Sequence, residues 1–308
     1  MSFRDRLPQV VGDDLFLTDG GIETALIFHE GLELPLFAAF DLLADAAGTN
    51  ALRRYYQPYV ALAAECGAGF VAETPTWRAS PRWARALGYG LDELDGFNRR
   101  AVALMEELRR GHDRVVISGC VGPSDDGYKP GELLSETAAE AYHSIQIGTF
   151  ADTAADMVCA ITMTYAEEAI GVTRAALRVG LPVAISFTVE TDGRLPSGQA
   201  LGDAITQVDA ATGSAPAYYM LNCAHPTHFE AVLDGPWVER VRGLRANASR
   251  LSHAELDEAT ELDPGDPLDL GARYAALTSR LPHLNVVGGC CGTDHRHVAA
   301  IAGAWPAR

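Results

Sequence analysis

Short apolar runs alternate with longer amphipathic stretches from one end of the chain to the other. Eight runs stand out, at residues 15–18, 69–72, 114–118, 156–161, 182–188, 217–221, 241–246 and 285–288. Most are brief, largely apolar segments bounded by polar or turn-forming residues, the pattern of a strand buried on both faces. Between them lie stretches such as 51–65, 91–110, 137–153 and 167–179, where apolar residues recur at helical spacing. Repeated strand–helix units imply a parallel sheet covered by helices. Eight such units spread evenly along the chain predict a single (β/α)8 TIM barrel over residues 1–308, with a doubly wound open sheet as the runner-up. The length of 308 residues suits this, since such barrels take about 250 residues plus insertions. The most irregular stretch, 249–270, is rich in Asp, Glu and Pro, and falls after the seventh predicted strand.

Polar and special residues gather just past the predicted strand ends. The first strand leads into Asp19-Gly20-Gly21, the second into Glu73-Thr74-Pro75-Thr76-Trp77 and the sixth into Asn222-Cys223; the eighth leads into Gly289-Cys290-Cys291-Gly292. Barrel active sites collect at this C-terminal rim, so the topology brings Cys223 to the Cys290-Cys291 pair. Adjacent cysteines cannot easily bond to one another without straining a small ring. Flanked by glycines, they can turn both sulfurs toward one point, and a third sulfur completes a site for a soft metal. Three thiolates around Zn²⁺ leave a net charge of about −1 and one open tetrahedral position. A substrate thiol entering there loses its proton and stays nucleophilic, which favours alkyl transfer to sulfur over activation of water. The competing reading makes Cys223 a core residue and the pair a small-residue turn.

Other candidates keep two readings. Asp19-Gly20-Gly21 suits a cradle in which Asp19 accepts from an ammonium group, or an ordinary turn with Asp19 as helix cap. Trp77 and Tyr128 suit a cationic methyl donor through cation–π attraction, or simple packing. His225 and His295, near the cysteines, could add a nitrogen ligand, but with three sulfurs available they are read as solvent-facing or as hydrogen-bonding neighbours of the ligand set. Cys66, Cys120 and Cys159 lie in apolar segments and are read as buried small residues.

Composition narrows the function. With 24 basic against 41 acidic residues the chain carries −17, which argues against nucleic acid as a partner. Neither a G-x-G-x-x-G turn nor a G-x-x-x-x-G-K-[ST] loop is present, so the usual dinucleotide and phosphate cradles are missing. The opening residues 1–6 lead into no apolar leader core, and no apolar stretch is long enough to span a membrane. The expectation is a cytoplasmic protein with reduced thiols and small-molecule partners.

Taken together, Asp19-Gly20-Gly21, Glu73-Thr74-Pro75-Thr76 with Ala79-Ser80, Val121-Gly122-Pro123, Ser186-Phe187-Thr188-Val189, Asn222-Cys223 and Gly288-Gly289-Cys290-Cys291-Gly292 resemble the homocysteine S-methyltransferase family. The resemblance runs in order over nearly the whole chain. It implies a zinc-dependent barrel that moves a methyl group from a sulfonium, betaine or folate donor to a thiol acceptor, homocysteine giving methionine. It also implies Cys223, Cys290 and Cys291 as zinc ligands and catalytic residues. Asp19, Gly20 and Gly21 would line the acceptor pocket, with Glu73, Thr76 and Asn222 as further substrate-contacting candidates. One position departs: where the family usually ends its fourth strand in a Glu that holds the substrate ammonium, this chain has Ile161. Either another acid, Glu73 or Glu190, takes over, or the acceptor is a different thiol or selenol. A non-catalytic ligand-binding barrel is the rival from another class.

Overall fold

The computed structural model describes residues 2–128, 131 and 133–306. Eight parallel strands close into a barrel in sequence order: β1 Phe16–Leu17, β2 Gly69–Glu73, β3 Val115–Val121, β4 Met157–Met163, β5 Val183–Phe187, β6 Tyr218–Asn222, β7 Val241–Ala246 and β8 Val286–Gly289. All eight expected strands are present, and closure of β1 on β8 rules out the open sheet. The strand β1 is the shortest, at two residues. The ladder nevertheless continues, with Thr18 N donating to Val287 O (2.8 Å) and Gly289 N to Asp19 O (2.9 Å).

Helices Ala46–Glu65, Leu91–Arg109, Glu136–Ala151 and Ala166–Arg178 occupy the four amphipathic stretches. The first begins five residues ahead of expectation because Asp45 caps it, accepting from Gly48 N at 2.7 Å. Alternation along the strands then separates two cores. Outward residues such as Leu17, Phe70, Ile117 and Val158 pack beneath the helices. Inward residues Phe16, Val71, Val116, Met157, Ala184, Tyr218 and Val286 fill the barrel interior. At the N-terminal end the segment Pro8–Val11 seals the bottom, where Asn285 Nδ2 donates to Gln9 O at 2.9 Å. With its lower half packed, the barrel has room for a ligand only at the strands' C-terminal ends. Among the described residues, no helix is long and apolar enough to cross a membrane.

The stretch 249–270 is less irregular than its composition suggests. It holds a capped helix, His253–Asp257, and the start of a second, Pro267–Leu277. Ser252 and Glu255 form a reciprocal cap on the first.

Candidate metal centre and cavity

Cys223 follows β6 directly, and Cys290-Cys291 follow β8. Two tight devices hold them. Cys223 itself takes a left-handed backbone (φ +55°), a conformation disfavoured for a residue with a side chain. It is fixed by its N–H donating to Arg245 O (3.1 Å) and its carbonyl accepting from Asn247 Nδ2 (3.0 Å); His253 Nε2 lies 2.6 Å from the same oxygen. The second device is the packing of the Asp19-Gly20-Gly21 turn onto the cysteine turn. A Cβ on Gly21 would lie 2.5 Å from Cys290 O, and one on Gly289 would overlap the Thr293 hydroxyl. Thr24 Oγ1 accepts from Gly292 N (3.1 Å) and donates to Gly21 O (3.0 Å). The glycines of both motifs therefore serve the close approach of one turn to the other.

The three sulfurs meet. Cys223 Sγ lies 2.6 Å from Cys290 Sγ and 3.7 Å from Cys291 Sγ, and all three fall within 4.8 Å of one another. Among the described residues this is the one group of three His, Cys, Asp or Glu side chains arranged to hold a metal. A tetrahedral ion with sulfurs at ~2.3 Å sets them about 3.8 Å apart. The longer contact matches that edge; the shorter must open by about 1 Å, which a rotation of one thiol supplies. Soft sulfur donors in this number suit zinc and leave one position open. Thiols of Cys223 and Cys291 hydrogen-bonded to Cys290, helped by the Arg245 charge, hold Cys290 well below the usual thiol range, whereas Cys223 is pushed up. The Tyr128 hydroxyl lies 3.1 Å from Cys223 Sγ and 3.7 Å from Cys291 Sγ. Burial drives its own ionisation far upward, so it stays a phenol able to donate to the sulfurs.

The cysteines form one wall of a cavity whose lining includes Asp19, Gly20, Gly21, Glu73, Thr74, Trp77, Tyr128, Ile161 and Arg245. Asp19 does not cap a helix: Gly21 is the N-cap of Ile22–Phe28, with no side-chain cap. Its Oδ1 instead sits 2.7 Å from Arg245 Nη2, and its Oδ2 accepts from Tyr55 at 3.0 Å. Burial raises its pKa, and these two partners oppose the rise. Arg245 also donates to Gly20 O and Gly289 O, both at 3.0 Å, and so ties the two glycine turns together.

Thr76 and Asn222 are not on the cavity wall. Thr76 donates its hydroxyl to Cys120 O (2.7 Å) and meets Thr74 Oγ1 at 2.6 Å, so it fixes the loop below the wall. Asn222 clamps Thr162, accepting from its N–H (2.9 Å) and donating to its hydroxyl (2.8 Å), while Ser186 donates to Asn222 Oδ1 (2.6 Å). Thr162 is thereby held at φ +68°, at the bulge that ends β4 and sets Ile161 on the wall.

The histidines near the cysteines stand apart from the sulfurs. His225 caps the short helix Pro226–Phe229, accepting from Thr227 N, and burial lowers its pKa to about 4; His295 is exposed. Cys120 and Cys159 are buried, but Cys66 is exposed, because it lies past the last turn of Ala46–Glu65. Sequence reading passed over Arg245 and His253. Arg245 had a signal, a cation near the C-terminal end of a strand that also carries Arg242; His253 had none, since only the fold brings its loop back over Cys223.

Known proteins resemble this chain at several levels. Methionine synthase of Mycobacterium tuberculosis (strain ATCC 25618 / H37Rv) is 28% identical over 217 residues, which is 65% of this chain. The chain spans only 17% of that protein's length. Among solved structures, the oxidized form of the homocysteine methyltransferase MmuM from Escherichia coli shares the fold with a TM-score of 0.73 at 20% identity, covering 97% of this chain and 98% of that one. Its metallated form gives 0.73 and 20%, covering 95% and 96%. The profile of the homocysteine S-methyltransferase family matches residues 16–305, so nearly the whole barrel, cysteines included, is accounted for, and the chain belongs to that family.

Proposed function

We propose that the protein is a zinc-dependent S-methyltransferase that methylates a small amino-acid thiol, homocysteine giving methionine. The convergence of three cysteine sulfurs at the mouth of a barrel cavity carries this reading. Zinc bound by Cys223, Cys290 and Cys291 would supply Lewis acidity, keeping an acceptor thiol deprotonated near neutral pH. The remaining work belongs to the chain. As ligands, the three thiolates would donate charge through the metal and so keep an acceptor sulfur electron-rich, and the Arg245 guanidinium offsets part of the charge on Cys290. Tyr128, hydrogen-bonded to two of the sulfurs, fixes their orientation and shields them from water.

A second cavity, of about 340 Å³, shares Phe37, Trp77, Tyr128 and Cys291 with the first. Two cavities meeting at one sulfur suit a reaction with two small substrates. The acceptor occupies the inner one and presents its sulfur to a methyl donor in the outer one, an arrangement in which proximity supplies much of the rate. Trp77 already stacks on Arg78 (4.8 Å). Asp126, Asp257, Glu261 and Asp263 also line the outer cavity, however, and with Phe37 and Tyr128 they suit a methyl donor that carries positive charge, such as a sulfonium or betaine.

Metal analysis of protein purified under reducing, chelator-free conditions tests the reading. About one zinc per chain is expected, together with methyl transfer to homocysteine from at least one donor. Protein that takes up no zinc even when reduced and resupplied would remove this mechanism. The Asn222 clamp gives a second check. Asn222→Ala frees Thr162 beside the cluster and removes a neighbour 4.0 Å from Cys290 Sγ. Zinc affinity, measured by competition with a chromophoric chelator, should fall roughly 10–100-fold.

A further inference from the structure

Glu73 ends β2 and faces into the barrel. From the pairings of Leu17 with Phe70 and with Val287, three residues along each strand places Gly20, Glu73 and Cys290 at one height. Glu73 is 3% exposed, lines the cavity, and its Oε2 has no hydrogen-bond partner among the described residues. Its backbone is fixed by Tyr56, whose hydroxyl donates to Glu73 O at 2.8 Å. A buried carboxyl oxygen without a partner costs free energy, and here the carboxyl also lines the cavity, so a donor bound there would offset that cost.

The other acids are differently placed. Asp19 is committed to Arg245 and Tyr55. Glu190 lies off the cavity wall, 3.3 Å from His253. Glu23 is also on the wall, and burial raises its pKa to about 8, but it is partly exposed. The β4 end offers Ile161 and Thr162, neither of them an acid.

We infer that Glu73 determines acceptor specificity by receiving the ammonium group of an amino-acid thiol bound in the cavity. The inference rests on the methyl-transfer reading for the identity of the acceptor, but binding alone tests it. The groups around Glu73 are Asp19 past β1, Ser118 and Cys120 on β3, Cys159 on β4 and Arg245 on β7. Burial raises the Glu73 pKa to about 8 against the opposing Arg245 charge, so the empty cavity holds it largely protonated at pH 7. An arriving ammonium stabilises the carboxylate, and the carboxyl proton leaves to solvent.

The test is calorimetric binding, without donor, of L-homocysteine and of 4-mercaptobutanoate, the same thiol lacking the ammonium, to the zinc-loaded protein. The wild type should prefer homocysteine by at least about tenfold. Glu73→Gln should erase the preference with zinc content unchanged, Glu23→Gln should keep most of it, and Glu73→Gln with Ile161→Glu should restore part. Should Glu73→Gln fail to fold, the Glu23→Gln protein, which leaves Glu73 as the cavity's protonated glutamate, still answers. Titrations at pH 7 in buffers of different ionisation enthalpy should show homocysteine releasing close to one proton more than mercaptobutanoate. Equal binding of the two thiols by the wild type, a preference that survives Glu73→Gln, or equal proton release would each overturn the inference. Preferential homocysteine binding with no methyl transfer from any donor would instead refute the methyl-transfer reading and leave the subsite standing.

Discussion

Serine in place of Cys223, Cys290 or Cys291 is expected to lower bound zinc from about one to well below one per chain and to cut methyl transfer on the order of 10³-fold. The three sulfurs form a single site within 4.8 Å, and no fourth His, Cys, Asp or Glu side chain among the described residues joins them. An alcohol replaces a thiolate poorly at a soft metal, so removing one donor leaves two sulfurs and an opening filled by water. The three variants should behave alike, because the open position requires all three ligands at once. Cys66→Ser is the control: that thiol is exposed and lies outside the cluster. Parallel measurements of metal by mass spectrometry and of methylated product decide the matter. A Cys223→Ser protein with full zinc and full turnover would return these cysteines to the reading of a packed turn.

That site was visible in the sequence for a definite reason. Strand ends are the positions where an apolar run stops, and the fold sends all of them to one rim. Asp19, Glu73, Cys223 and Cys290 each stand directly at or after such an end, so counting strands sufficed to bring them together. Side-chain commitments were beyond that reasoning. Asp19 reads in sequence as a free acid, yet its charge is spent on Arg245, more than two hundred residues away. Thr76 and Asn222 sit in the right motifs but spend their hydrogen bonds on Cys120 O and on Thr162, partners that the motifs do not reveal. His253 reaches Cys223 only because the loop after β7 folds back over the rim. Alternation and strand count place residues at the rim; which hydrogen bond each makes depends on contacts distant in sequence.

Arg245→Met should produce the largest loss of stability short of dismantling the metal site. Arg245 and Asp19 are 7% and 2% exposed at the side chain, with 2.7 Å between Nη2 and Oδ1. Breaking such a pair from one side strands a buried charge, a cost of about 3–5 kcal/mol. The same change removes the bonds to Gly20 O and Gly289 O, so the two glycine turns lose their shared tie. Adding Asp19→Asn should recover much of the loss, since a neutral amide can keep the Tyr55 bond without an unpaired charge. Burial already raises the Asp19 pKa in the wild type with Arg245 opposing it, so without Arg245 it rises further. The folded variant then holds a proton that the unfolded chain gives up near the ordinary carboxylate value. Folded protein binding more protons than unfolded means that stability falls as pH rises. The penalty of Arg245→Met should therefore be smallest near pH 4 and grow toward neutrality, levelling off only above the raised value. Denaturant midpoints of the wild type, Arg245→Met and the double variant at pH 5 and pH 7.5 measure it. A penalty of equal size at both would mean that Asp19 stays ionised without its partner and that water reaches the cavity floor.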